Sequence, residues 1–190
     1  KIKLNAASGG GSVSIEAPSS SGSDSVFTLN GTNNGLIQTT TLGPAFFARN
    51  NNNQSLSNGS TNKVQFNNEI FDTDSCYDPS TNYRFTPNLA GYYLIRANVQ
   101  IGGSMTGTMG LNIFKNGSRF VNMDRNMSGS GGQSICLTSL VPFNGSSDYV
   151  EVYVFQSSGA TRSLANGTQY AITEFSGMFV RSLAWLLTEH

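Results

Sequence analysis

Histidine, tryptophan and charge are all scarce in this chain. Its 190 residues include one histidine, His190, and one tryptophan, Trp185, and only 12% are charged, with 11 basic against 11 acidic. Such a balance provides no phosphate-neutralising surface, which excludes nucleic acid and anionic lipid as charge-driven partners. A lone histidine beyond the last strand pattern leaves Ser-His-Asp and Cys-His chemistry without a base, and zinc without a ligand cluster. The Gly-rich stretch at 129–132 lacks the Lys and helix pattern that a phosphate-binding loop needs, so it reads as an ordinary loop. No catalytic residue and no cofactor are expected. Long apolar runs are missing too, so no membrane insertion is expected. Residues 1–20 lack the charged, apolar and small-residue sections of a secretory signal, and reaching the outside would require a cleaved segment or host lysis. Two cysteines, Cys76 and Cys136, either pair or stay free and half-buried; their spacing decides neither reading and leaves the compartment open.

What is present points to a β-protein. Aromatic residues at 11%, with abundant Val, Ile and Leu, supply enough apolar surface to offset chain entropy, so the chain folds. Gly, Ser and Asn are frequent enough to demand many turns, while strong helix formers are sparse. Three short alternating segments come first, Lys1–Leu4, Ser12–Glu16 and Ser25–Leu29, with Gly/Ser spacers between them. Each is too small to bury a core alone, so it either draws partners from the same segment of other subunits or forms a loose tail. Residues 1–42 are therefore read as an N-terminal stem or attachment segment, and 30–42 as its connector. From residue 43 strand patterns alternate with turn clusters: Ala45–Ala48, Lys63–Phe66, Tyr92–Ile101, Met109–Lys115, Ile135–Val141, Tyr149–Phe155 and Ala171–Arg181. Seven or eight strands at this spacing predict a sandwich or jelly roll over 43–181. Asn116-Gly117 predicts a tight hairpin turn.

The order of these signals carries a resemblance. Pro44-Ala45-Phe46-Phe47-Ala48, then Val64-Gln65-Phe66-Asn67 with Ile70-Phe71-Asp72, precede the run from Tyr77-Asp78 through Arg84-Phe85-Thr86-Pro87 to Gly91-Tyr92-Tyr93-Leu94-Ile95. Phe114-Lys115-Asn116-Gly117, Asp148-Tyr149-Val150 and Phe175-Ser176-Gly177-Met178-Phe179-Val180 follow. Over residues 44–181 the chain resembles the globular head family of the complement first component, within the tumour necrosis factor superfamily of jelly rolls. The pattern departs from that family where Asn82 stands for the usual Gly, where Ile95 replaces Phe, and where Ser146-Ser147 lengthens a loop. A collagen-like stalk is absent.

Two strands are apolar on both faces. Tyr93, Ile95, Ala97 and Val99 alternate with Tyr92 and Leu94, and Val150, Val152 and Val154 alternate with Tyr149 and Tyr153. A sandwich has one interior, so the second face needs a neighbour or leaves its aromatics half exposed on a monomer. The resemblance implies three-fold packing, which predicts a homotrimer interface at Tyr92, Leu94, Tyr149, Tyr153 and Met178. Asp72, Asp74 and Asp78 lie close in sequence; they either cap turns or offer a weak metal site, with calcium as the cation, or a glycosidase pair. Residues 182–190 form an apolar tail in which Leu183, Trp185, Leu186 and Leu187 call for a cover on the head, a neighbour or a partner protein. The Gly/Ser/Asn-rich stem resembles the N-termini of marine phage appendage proteins. The expectation is therefore a structural bacteriophage virion protein, a trimeric tail fibre or appendage. Its stem would meet other virion proteins and its head, on the virion surface, a host glycan or protein for attachment. The alternatives are a capsid or tail decoration protein without a receptor, and a secreted lectin-like recognition protein.

Overall fold

Alternation of apolar and polar residues is the local instruction that builds this chain, and every regular element among the described residues is a β-strand. A computed structural model describes residues 2–5, 12–15, 43–165 and 173–183. Contacts divide the chain into two units, Lys1–Thr40 and Thr41–His190. In the first, β1 (Ile2–Asn5) and β2 (Ser12–Ile15) pair antiparallel, with Ile2 opposite Ile15 and Leu4 opposite Val13. These two segments thus find their strand partners in each other. The strand expected at 25–29, the connector at 30–42 and the tail at 184–190 lie outside the described residues.

The second unit carries β3 (Ala45–Arg49), β4 (Ser55–Leu56), β5 (Ser60–Lys63), β6 (Asn68–Asp72), β7 (Tyr77–Asp78) and β8 (Arg84–Phe85). It continues with β9 (Ala90–Ile101), β10 (Met105–Lys115), β11 (Ser118–Gly129), β12 (Gln133–Asn144), β13 (Val150–Gln156), β14 (Arg162–Ser163) and β15 (Glu174–Ser182). One sheet runs β11-β10-β13-β8-β7, with β5 also paired to β13; the other runs β12-β9-β15-β3-β6. Asn116 and Gly117 close the β10–β11 hairpin with φ of 52° and 77°, the pair of positive values a primed turn requires. The partner strand, β11, is an addition to the sequence reading. It lies at a sheet edge with most of its residues exposed, so it shows no apolar alternation.

Inward-facing residues of both sheets form one core. Tyr93, Ile95 and Phe175 from one sheet and Val150 and Val152 from the other are fully buried, and Phe179 packs partly buried against them. At its centre the Phe46 ring stacks on Tyr77 at 4.8 Å and on Phe85 at 4.4 Å, with Phe175 edge-on at 4.8 Å. The ring fits because its strand neighbour is Gly177, where a Cβ would overlap both Phe46 and Ile95. The Tyr77 hydroxyl donates to the Phe66 carbonyl and the Tyr93 hydroxyl to the Leu89 carbonyl, both at 2.8 Å, so neither buried phenol is unpaired.

Polar side chains hold the loops. Fully buried Gln156 donates from Nε2 to the carbonyls of Ala160 and Leu56 at 2.9 and 3.2 Å, and its Oε1 accepts from the Ser158 amide and hydroxyl at 2.9 and 2.7 Å. Gln156→Leu strips these backbone groups of their partners and should destabilise the head by about 2–4 kcal/mol, read as a lower urea midpoint with unchanged slope. Between β7 and β8, Asp78 Oδ1 accepts from the amides of Ser80 and Thr81, and Oδ2 from the Asn82 amide and side chain, at 2.8–3.0 Å. Partial burial works against the charge, but these donors outweigh it and hold the Asp78 carboxyl well below its ordinary range. A depressed carboxyl contributes stability above its unfolded value, near pH 4, and loses it as pH falls through the folded value. Asp78→Ala should cost about 1–2 kcal/mol at neutral pH. The gap between variant and parent in denaturation should close on acidification from about pH 5 towards about pH 2.

Candidate interaction surface

The five-stranded sheet turns an apolar face away from the core. Strand register sets Leu140 of β12 opposite Leu94 of β9, Leu94 opposite Met178 of β15, and Met178 opposite Ala45 of β3, one row crossing four strands. Two residues along, Ser176 meets Phe47, and Phe47 meets Phe71 of β6 with ring centroids 6.3 Å apart. On the other side Tyr92, half-buried, lies opposite Pro142. Val180 is the extra residue of a bulge in the β15–β9 pairing. Leu140, Leu94, Met178 and Phe71 are 51%, 41%, 54% and 48% exposed. Isolated exposed leucines are ordinary, whereas a contiguous row of large apolar side chains marks a contact surface.

Below this band the same face becomes charged. Arg96 forms an ion pair with Glu174, itself buried, and the Arg49 guanidinium lies over the Phe47 ring at 5.1 Å. Cys136 is exposed on this face opposite Asn98, while Cys76 is buried elsewhere, and both are free thiols. Burial pushes the Cys76 thiol up, despite the Asn88 backbone hydrogen bond that favours its charged form.

The five interface residues expected from sequence divide between the two sheets. Tyr92, Leu94 and Met178 gather on the face just described. Tyr149 and Tyr153 belong to the region of β13, in the other sheet, and find partners within their own chain. Arg84 lies over the Tyr149 ring at 4.4 Å. Tyr153 packs on Phe114 at 4.4 Å and donates its hydroxyl to Glu151 Oε2 at 3.0 Å. Burial, followed by the hydrogen bond to Glu151 and its charge, pushes the Tyr153 phenol up to about 12. Glu151 is held in turn by Lys63 at 2.7 Å. Leu140, Val180, Phe47 and Phe71 were not singled out from sequence. The signal was available in Phe46-Phe47 and Leu140-Val141, adjacent apolar pairs that must face opposite sides of a strand.

The acidic loop is a set of turns. Asp72 accepts from the Tyr77 amide at 2.6 Å and the Asp74 amide at 3.3 Å, Asp74 accepts from the Thr73 hydroxyl at 2.6 Å, and Asp78 caps the Pro79–Asn82 turn. Among the described residues no three acidic, histidine or cysteine side chains gather as a metal-holding group. No helix among them is long and apolar enough to cross a membrane. Leu183 is half-buried, immediately after β15.

No protein-family model and no curated protein sequence matches the chain. Solved structures do. Murine APRIL at pH 5.0 is 13% identical with a TM-score of 0.57, over 73% of this chain and 99% of that one. The globular domain of zebrafish complement 1qA protein is 16% identical with a TM-score of 0.52, over 73% and 98%. PRD1 vertex protein P5 is 12% identical with a TM-score of 0.53, over 74% and 99%. None of the three is named for a catalytic activity. The likeness agrees with the strand order and two-sheet core: the chain carries an all-β jelly-roll head of the C1q/TNF-like kind.

Proposed function

We propose that this protein is a non-enzymatic structural component of a virion surface, whose heads assemble as closed trimers through the apolar face of the five-stranded sheet. The observation that carries the reading is the Leu140, Leu94 and Met178 row with Phe47 and Phe71 beside it, exposed on an otherwise well-packed head. Fully burying one such side chain is worth about 1.5–3 kcal/mol, so a face of five or more rewards association strongly. Three copies is the number the C1q/TNF resemblance implies, and three-fold closure leaves no open face from which a filament grows. The interface takes in Tyr92, Leu94 and Met178. Tyr149 and Tyr153, satisfied within their own sheet, stay outside it. The Arg96–Glu174 pair below the apolar band fixes register more than affinity.

Placement on a virion rests on two supports. The fold is shared with a vertex protein, and the Gly/Ser/Asn-rich stem resembles phage appendage N-termini. The stem attaches the protein to other virion components, and the outward six-stranded sheet is available to the host surface.

Multi-angle light scattering of the full chain should give three times the protomer mass at micromolar concentration. Leu94→Asp or Met178→Asp, which puts a carboxylate into the seam at a cost of at least about 3 kcal/mol per copy, should yield folded monomers. A monomeric parent, or trimers surviving both substitutions, would overturn the assembly.

A further inference from the structure

The outward face of the six-stranded sheet is interrupted by a hollow. In register across β11, β10, β13 and β5 stand Asp124, Gly110, Phe155 and Thr61. A glycine inside a strand weakens it and frequently marks a close approach by another molecule. A Cβ on Gly110 would overlap Asp124 Oδ1 and touch the Phe155 Cβ. The missing side chain opens a cavity of about 210 Å³, lined by Thr61, Thr108, Asn112, Arg119, Asp124 and Phe155.

The walls combine one half-buried aromatic ring with several hydrogen-bonding groups held in place. Asn112 is buried and anchored by donation from Nδ2 to the Tyr153 carbonyl at 3.4 Å. Asp124 Oδ2 accepts from Asn122 at 3.2 Å, while Oδ1 overhangs Gly110. The Thr108 hydroxyl donates to Asn126 at 3.1 Å. An anion would meet the Asp124 carboxylate and a cation the Arg119 guanidinium. A wholly apolar ligand would strip water from amide, hydroxyl and carboxylate without replacing their hydrogen bonds. The volume is below the roughly 300–1,000 Å³ of sites for drug-sized ligands, so one small ring fits. A neutral ring with an apolar C–H face and neighbouring hydroxyls satisfies every wall. Its C–H face lies on Phe155, and its hydroxyls donate to Asp124 and accept from Arg119.

The geometry points to a binding site at Gly110 for one hexose unit of an uncharged glycan. The inference deepens the attachment reading and rests on it for its purpose, yet the two fail separately. Trimers without glycoside binding would retain the structural reading, and binding by a monomer would retain the site.

Saturation-transfer NMR on the full chain, with methyl glycosides of glucose, galactose, mannose and N-acetylglucosamine at about 10 mM, tests it. At least one glycoside should receive saturation. Asp124→Ala, which removes an exposed acceptor, and Gly110→Ala, which fills the hollow against the movable end of Asp124, should each weaken binding by about tenfold or more. Circular dichroism spectra should match the parent. Absence of transfer to all four glycosides, or binding retained in either folded variant, would overturn the site.

Discussion

The head is organised around one aromatic ring. Phe46, on β3, is clasped by Tyr77 and Phe85 of the opposite sheet and met edge-on by Phe175 of its own, which fixes the spacing of the two layers at that point. The ring reaches this position only because Gly177 leaves the neighbouring strand bare. Tyr93 continues the cluster through Phe85, Phe143 and Phe179, each edge-on at 5.1–5.6 Å. Because the inward positions of β3, β9 and β15 are spent on this cluster, their outward positions answer to a different demand. Phe47, Leu94 and Met178 are apolar there without contributing to the core.

Two faces with different chemistry result. The five-stranded sheet offers a broad apolar band, suited to a copy of itself. The six-stranded sheet presents amides, hydroxyls and paired charges around a glycine, suited to a small polar ligand. Each property is local to one face, so substitutions on one leave the other intact.

Much of this was legible in the chain. Strands β9, β12 and β13 announce themselves by alternation, and Asn116-Gly117 by its turn chemistry. The edge strand β11 did not, because a strand with solvent on its outer face and rim lacks the apolar rhythm that marks a buried one. Period-two reasoning correctly showed that Tyr92 and Tyr153 point away from the core. It could not show that they belong to different sheets, because sheet membership is decided by pairing between distant segments. The hollow at Gly110 was hidden for the same reason: its walls come from four strands, and only their register brings Asp124, Phe155 and Thr61 around one glycine.

The rim of β11 has its own bearing on life in a crowd. A long border strand presents unpaired backbone amides and carbonyls, an invitation for another chain to extend the sheet. Here the border carries Arg119, Asp124 and Arg125, all exposed, and it is bent by the bulge at Ile113/Phe114. Charge and curvature together discourage a second strand from docking. Many heads held side by side at high local density can thus jostle along their rims and remain separate units, leaving face-to-face contact as the one mode of association the surface rewards.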